Sequence, residues 1–200
     1  MSAQGILLAA GYGRRFDPAG GQDKLLVPLA DGRPVLCHSA RALADALPGS
    51  LAVIRPGQPA RARWLREAGC RVLEAPAAEA GMGHALAAAV AASAEADGWV
   101  VALADMPWLP AAAIRAVAAQ LTTPSTIAAP RHAGRRGHPV GFGRAWGERL
   151  MALKGDQGAR AILDATAVSL FDWSNPGVLR DVDTRDDLVN RAKVRATGAW

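Results

Sequence analysis

Short apolar runs alternate with longer alanine-rich or amphipathic segments along most of the chain. Short apolar runs between turn residues are typical of buried strands, and the longer segments have helical spacing. The pattern predicts strands at residues 5–9, 51–54, 71–73, 99–103 and 126–129. It predicts helices at residues 34–46, 59–68 and 85–94, and a further helix that begins at Pro110. After about Gly137 the alternation weakens, and the pattern no longer predicts the order of strands.

Strands that alternate with helices are expected to be parallel, with the helices packed on both faces of the sheet. We therefore predict an α/β fold, a single three-layer domain over residues 1–200 with a mostly parallel sheet. Ligands of such sheets bind beyond the carboxyl ends of the strands. The loops after residues 9, 73, 103 and 129 are thus the places to look for chemistry.

Composition excludes several classes of protein. Half of the 200 residues are hydrophobic and 20% are charged, as in ordinary soluble domains. The most apolar stretch, residues 85–94, is about half as long as the ~20 residues that a membrane span needs. No basic segment precedes the first apolar run, so we expect a cytoplasmic protein with no membrane partner.

The charge distribution indicates the class of ligand, and the cysteine spacing argues against a zinc or redox site. The net charge is +5, but the basic residues are scattered and form no uninterrupted run. We therefore expect no nucleic-acid partner and favour a small anionic ligand. Cys37 and Cys70 lack the CxxC spacing of zinc or redox sites.

The first loop, residues 11–23, is rich in glycine and is here called the glycine loop. Gly11 and Gly13 allow backbone N–H groups to approach phosphate oxygens, and Arg14 and Lys24 add positive charge. A Walker A loop is excluded because Leu25 follows the lysine, and a dinucleotide fingerprint because its third glycine is missing. A flexible connection with solvated arginines remains the alternative.

Acidic residues follow two other segments. Asp105 stands just past the strand predicted at residues 99–103, where a carboxylate can hold a hard cation, although it could instead cap the next helix. Asp181 and Asp183 alternate on an extended segment and so share a face, although Asp183 or Thr184 could simply begin a helix. Together with the glycine loop, these acids predict a site for a Mg²⁺-bound triphosphate.

Six short motifs carry a resemblance to a known family. They are LAAGYGRRF from Leu8, DKLL from Asp23, LADMP from Leu103, RGHPVGF from Arg136, GDQGAR from Gly155 and DVDT from Asp181. In order and spacing, the chain resembles the MobA-like NTP transferases, and within them the molybdenum cofactor cytidylyltransferase branch. The matches run from residue 7 to about residue 188. The chain departs from this pattern at residues 17–22, which lengthen the glycine loop, and at residues 81–84, where GMGH replaces a serine-rich turn.

The resemblance implies a Rossmann-like fold of the nucleotide-diphospho-sugar transferase type and a set of site residues. Catalytic roles fall to Lys24, Arg14 and Asp105, and Mg²⁺ binding falls to Asp105 and Asp183. Nucleotide binding falls to Leu8, Ala9, Ala10, Gly11, Gly13, Arg14, Lys24 and Gly81. Acceptor binding falls to His138 and Asp156. The alternatives are a surface histidine for His138 and a helix N-cap for Asp156, whose helix would also offer free N–H groups to an anion.

The implied activity is transfer of CMP from CTP to molybdopterin, with release of pyrophosphate and transient contact with a recipient molybdoenzyme. The nearest alternative is a GTP-dependent guanylyltransferase. Ala10 favours CTP, because the GTP branch prefers glycine at this position and a β-carbon takes space beside the base. Two further alternatives are a nucleotidyltransferase acting on a sugar phosphate or other small alcohol, and a non-catalytic chaperone that delivers cofactor to a molybdoenzyme.

Overall fold

The computed structural model describes residues 2–17 and 21–189, and at their centre lies an eight-stranded sheet. The strands are β1 (Ala3–Leu8), β2 (Leu51–Ile54), β3 (Arg71–Glu74), β4 (Gly98–Leu103), β5 (Ile127–His132), β6 (Arg135–Arg136), β7 (Val140–Gly143) and β8 (Ser169–Asp172). Their order is β3-β2-β1-β4-β7-β5-β6, and β8 pairs with β5. β1 to β4 are mutually parallel, whereas β7 runs antiparallel to both β4 and β5. The mostly parallel α/β fold predicted from the sequence is confirmed.

Helices cover both faces of this sheet and complete three layers. They are α1 (Val35–Ala46), α2 (Pro59–Glu67), α3 (Met82–Ala91), α4 (Ala111–Gln120), α5 (Gly147–Met151), α6 (Arg160–Asp164) and α7 (Arg185–Val189). α1 packs against α2 and α4, and α3 packs against α5, β1 and β2. The strand side chains between these layers form the core, which includes the fully buried rings of Trp99 and Phe142.

All the predicted strands and helices are present, with ends displaced by at most three residues. The largest displacement in a helix is that of α3, which begins at Met82 rather than at Ala85. Gly69 follows α2 with φ +94°, the left-handed conformation that glycine commonly adopts after a helix. Residues 1, 18–20 and 190–200 lie outside the described residues. The single domain over residues 1–200 and the lengthened loop at residues 17–22 therefore stay predictions.

The strand β7, which the sequence pattern did not predict, lies in the middle of the sheet. Its glycines weaken the strand signal, because glycine is depleted in strands. They are nevertheless required by packing. A Cβ at Gly141 would lie 2.7 Å from Cγ1 of Val117 on α4, and a Cβ at Gly143 would collide with the carbonyl oxygen of Pro124. Glycine in β7 thus lets its neighbours approach the sheet closely.

Candidate nucleotide-binding site

A cavity of about 340 Å³ opens at the edge of the sheet where β1 and β4 end. Because β1 to β4 are parallel, the loops that follow them meet at this edge. Of the predicted nucleotide-binding residues, the cavity wall contains Leu8, Ala10, Gly11, Gly13, Arg14, Lys24 and Gly81. Ala9 lies behind the wall and is fully buried. The structure therefore brings the glycine loop and the first turn of α3 together around one cavity.

Lys24 reaches into this cavity and contacts two carboxylates. It begins a short 3-10 helix, Lys24–Leu26, which Asp23 caps by accepting a hydrogen bond from the N–H of Leu25. Nζ of Lys24 lies 2.7 Å from Oδ2 of Asp105 and 3.5 Å from Oδ1 of Asp183. Burial opposes the charged ammonium, but the charges of Asp105 and Asp183 outweigh it, so the pKa of Lys24 is raised. The side chain of Lys24 is therefore permanently charged at neutral pH.

Asp105 and Asp183 belong to segments far apart in the sequence that meet through the backbone. The N–H of Val182 donates a hydrogen bond of 2.8 Å to the carbonyl oxygen of Asp105. This contact sets the DVDT segment beside the end of β4. Asp183 is buried, and its Oδ2 accepts a hydrogen bond of 2.6 Å from Nη1 of Arg15. Both carboxylates line the cavity, as the sequence predicted.

Neither carboxylate caps a helix. The helix after Asp105 is α4, and it begins only at Ala111 with Pro110 as its N-cap. At the start of α7, Oδ2 of Asp187 accepts hydrogen bonds from the N–H and the hydroxyl of Thr184. The side chain of Asp183 points instead to Arg15 and Lys24. The capping alternative is therefore wrong for Asp105 and Asp183, whereas Thr184 does stand directly before α7.

A third acid, Asp181, interacts electrostatically with both of these carboxylates. Burial, together with the negative charges of Asp105 and Asp183, raises the pKa of Asp181 to about 6. Asp181 is not part of the cavity wall, so the prediction that Asp181 and Asp183 face one site stays a prediction. A raised carboxyl pKa beside two further acids marks a concentration of negative charge at the end of β4.

The carboxylates suit a hard divalent cation. Oδ1 of Asp105 is buried and has no hydrogen-bond partner among the described residues, so it is available to a cation. Within those residues, no group of three or more His, Cys, Asp or Glu side chains is arranged to hold a metal ion by itself. Such a site would be completed by phosphate oxygens and water, which is how magnesium is usually bound.

The glycine loop is held by a buried arginine that the sequence analysis did not single out. Arg61 on α2 is 3% exposed and forms a two-bonded ion pair with Asp23. Its Nη1 donates to the carbonyl oxygen of Ala9 at 2.6 Å, and its Nη2 donates to that of Gly11 at 3.0 Å. Arg61 thus fixes both ends of the loop. One signal could have identified it, since Arg61 lies on the same helical face as the buried residue Leu65.

Two arginine side chains stack on Tyr12, an exposed residue of the glycine loop. The guanidinium groups of Arg55 and Arg14 lie 3.7 and 4.9 Å from the ring centre of Tyr12. Nε of Arg55 also donates to the carbonyl oxygen of Ala10. Gly13 has φ +66°, a conformation that favours glycine. Residues 10–12 are therefore held by Arg55, as the ends of the loop are by Arg61, while the side chains of Arg14 and Arg15 are exposed.

The two predicted acceptor residues occupy different places. Asp156 lines the cavity beside Gly81. It is not a helix N-cap, since α6 begins at Arg160 with Ala159 at the capping position. The free N–H groups of a helix start are therefore not located at Asp156. His138 is buried at 5% exposure, its N–H donates to the carbonyl oxygen of Val178, and it is not part of the cavity wall. The surface-histidine alternative is therefore wrong, and the acceptor roles stay predictions.

Comparison with known proteins identifies the family. The MobA-like NTP transferase domain matches residues 5–170. The chain belongs to the MobA-like NTP transferase family. Membership agrees with the glycine-loop cavity and with the lysine and carboxylates at its edge, and it makes nucleotides the expected substrates.

Members and structural neighbours of the family extend this result over nearly the whole chain. The purine catabolism protein PucB of Bacillus subtilis is 31% identical over 208 residues, which cover 94% of this chain and 96% of PucB. The crystal structure of Rv0371c from Mycobacterium tuberculosis has 28% identity and a TM-score of 0.75, covering 94% and 96% of the two chains. A second structure of Rv0371c, at 26% identity, covers the same shares with a TM-score of 0.71 and contains manganese.

A more distant neighbour shows the fold alone. A nucleotidyl transferase from Methanothermobacter, Mth528, has 19% identity and a TM-score of 0.78 over 94% of each chain. The Rossmann-like nucleotidyltransferase fold expected from the resemblance is thus confirmed. No helix among the described residues is long and apolar enough to cross a membrane.

Proposed function

We propose that the protein is a CTP:molybdopterin cytidylyltransferase that uses Mg²⁺. The observation that carries the proposal is the contact of Lys24 with Asp105 and Asp183 in the wall of the glycine-loop cavity. This arrangement supplies a permanently charged ammonium group for phosphate oxygens and two carboxylates for a metal. The choice of acceptor and base rests on the LADMP, RGHPVGF and GDQGAR motifs and on Ala10.

The reaction needs no nucleophilic side chain. An oxygen of the terminal phosphate of molybdopterin forms a bond to the α-phosphorus of CTP, while the bond from that phosphorus to the bridging oxygen of the β-phosphate breaks. The products are molybdopterin cytosine dinucleotide and pyrophosphate. In phosphoryl-type transfer, the protein mainly positions the reactants and neutralises charge that develops on the leaving group.

The residues of the cavity divide these tasks. Backbone N–H groups near Gly11 and Gly13, with Arg14, bind the triphosphate, and Lys24 stabilises the departing pyrophosphate. Asp105 and Asp183 would hold Mg²⁺, which when bound neutralises phosphate charge. In the structure Lys24 contacts the same two carboxylates, so it must turn towards the phosphates as the nucleotide enters.

Turnover of each nucleotide with molybdopterin tests the proposal. The protein is incubated with CTP, GTP, ATP or UTP, with molybdopterin and Mg²⁺, and both pyrophosphate and the dinucleotide are measured. We expect CTP to be consumed at least tenfold faster than the other nucleotides, and only when molybdopterin is present.

Three results would contradict this assignment. A preference for GTP makes the protein a guanylyltransferase. Consumption of CTP with sugar phosphates but not with molybdopterin changes the acceptor. Nucleotide binding without turnover supports the cofactor-delivery chaperone.

A further inference from the structure

The turn at residues 81–84, where the chain departs from its family, holds a loop from the second half of the protein. The N–H of Gly83 donates to the carbonyl oxygen of Gly155 at 2.7 Å. In return, the N–H of Gly155 donates to Nδ1 of His84 at 3.0 Å. These reciprocal hydrogen bonds fix the segment at residues 154–156, here called the docked loop, against the first turn of α3.

The two glycines of the turn are what allow this close approach. A Cβ at Gly83 would lie 2.6 Å from the carbonyl oxygen of Lys154. A Cβ at Gly81 would lie 2.6 Å from the carbonyl oxygen of Gly155 and would collide with Oδ1 of Asp156. Gly81 also has φ +125°, which other residues rarely adopt. The GMGH sequence thus allows the backbone of the docked loop to pack directly against the first turn of α3.

Docking places the carboxylate of Asp156 in the cavity wall. The neighbouring part of the wall is apolar and comes from Ala78, Met82 and Ala85. Asp156 forms no hydrogen bond or ion pair with any residue that the structure describes, whereas Asp105 and Asp183 are both paired with cations. Two acceptor oxygens are therefore presented to a bound ligand on the side of the cavity formed by α3.

We infer that Asp156 accepts a hydrogen bond from the exocyclic amine of the nucleobase and that His84 positions it. The inference rests on the proposed function, since it assigns the base of the nucleotide to this side of the cavity. Cytosine carries an amine at its 4-position, where uracil carries a carbonyl oxygen. A carboxylate pairs with the amine but faces the carbonyl without a proton between them, so the site rejects UTP. Asp156 is exposed without a ligand, so the discrimination arises when the bound base covers its carboxylate.

Direct binding of CTP and UTP tests the inference, because the two nucleotides have the same triphosphate. Calorimetry in Mg²⁺ measures both dissociation constants for the unmodified protein, for Asp156→Asn and for the control Asp164→Asn. Asp164 is an exposed carboxylate on α6 that pairs with Arg160. We expect the unmodified protein and the control to bind CTP at least 30-fold more tightly than UTP. Asp156→Asn should reduce this ratio at least tenfold, since an amide can donate to the uracil carbonyl.

Two variants of His84 test its positioning role. Nδ1 of His84 is the acceptor for the N–H of Gly155, and the side-chain oxygen of asparagine can replace it. His84→Asn should keep the CTP-to-UTP ratio within threefold of the unmodified protein, whereas His84→Leu should reduce it at least tenfold. Pyrophosphate affinity should change less than threefold in both, because within the described residues no hydrogen bond or ion pair joins the docked loop to Arg14 or Lys24.

The outcomes separate this inference from the proposed function. If CTP binds and turns over but Asp156→Asn leaves the ratio unchanged, the inference is wrong and the proposed function stands. If Asp156→Asn raises only the KM for molybdopterin, Asp156 is an acceptor residue and the inference is again wrong. If the unmodified protein binds neither CTP nor UTP, the proposed function itself fails.

Discussion

Arg61 and Asp23 face each other beneath the glycine loop, with Nε 2.6 Å from Oδ2 and Nη2 2.8 Å from Oδ1. A planar guanidinium can make these two bonds and still donate to the carbonyl oxygens of Ala9 and Gly11. The carbonyl groups at this end of the loop are thereby turned towards Arg61. A buried side chain outside the cavity wall therefore orders the backbone that the proposed function assigns to phosphate binding.

Arg61→Lys should destabilise the protein although it keeps the positive charge. Lysine cannot reproduce the forked pair, so buried carbonyl groups lose their donors, and we expect a loss of about 2–4 kcal/mol in the free energy of unfolding. Urea denaturation measures this value, with Arg66→Lys on the exposed side of α2 as the control. Equal stability of the two variants would mean that the glycine loop does not depend on Arg61.

Lys24→Met should weaken CTP much more than CMP. The proposed partners of the ammonium are the outer phosphates, and a hydrogen bond to a charged group contributes about 1.5–3 kcal/mol. CTP affinity should therefore fall about 10- to 100-fold, while CMP affinity changes less than threefold. Calorimetry compares the two nucleotides, and Arg63→Met, which removes an exposed cation paired with Glu67, serves as the control. Similar losses for CTP and CMP would remove Lys24 from the outer phosphates.

Asp105→Asn should abolish most of the turnover and preserve the fold. Asparagine keeps the shape of the side chain and an acceptor for Lys24, but it loses the charge that a divalent cation requires. We expect turnover to fall on the order of 100-fold or more, with a change in Tm of only a few degrees. Asp45→Asn, an exposed acid on α1, is the control. Turnover near that of the control would make Asp105 a structural residue only.

Asp181→Asn should make stability less dependent on pH between about 4 and 7. The pKa of Asp181 is about 6 in the folded protein, above the ordinary value of 3.8. A raised carboxyl pKa favours the protonated form in the fold, so this contribution is present below pH 4 and is lost as pH rises through 6. The variant has no such loss. Its Tm relative to the unmodified protein should therefore rise from pH 4.5 to pH 7.5.

Metal-free buffer with a chelator is needed for this pH series, because a cation beside Asp183 would itself lower the pKa of Asp181. Asp164→Asn gives the reference curve, since Asp164 is exposed and lies outside the cavity. If the Tm difference between Asp181→Asn and the unmodified protein is the same at every pH, Asp181 is ionised in the folded protein from pH 4.5 to pH 7.5, and the prediction is wrong.

The alternating first part of the chain is where sequence prediction succeeded. From β1 to α4, each apolar run and each amphipathic segment is bounded by glycine or proline, so local pattern and final fold agree. The positions of the glycine loop, Lys24 and Asp105 next to strand ends follow directly from that pattern. β7 was missed because Gly141 and Gly143 are chosen for close packing, which a propensity argument does not detect.

The remaining parts of the site depend on contacts between distant segments. Arg61 shares a helical face with Leu65, but its contacts are with backbone carbonyl groups some 50 positions away. The helix N-cap alternative for Asp156 rests on the tendency of an aspartate before a helical pattern to cap it, yet the first turn of α3 holds that segment instead. Local sequence contains neither relationship.

The hydrogen bond from Val182 to Asp105 has a consequence for biosynthesis. A ribosome adds roughly 5–20 residues per second, so several seconds separate the emergence of Asp105 from that of Asp183. During that interval a nascent chain can assemble β1 to β4 and the glycine loop, but the DVDT segment is still missing. On the proposed function, capture of a metal-bound triphosphate therefore becomes possible only after Asp183 has emerged, and chains released before that point would lack the second carboxylate of the site.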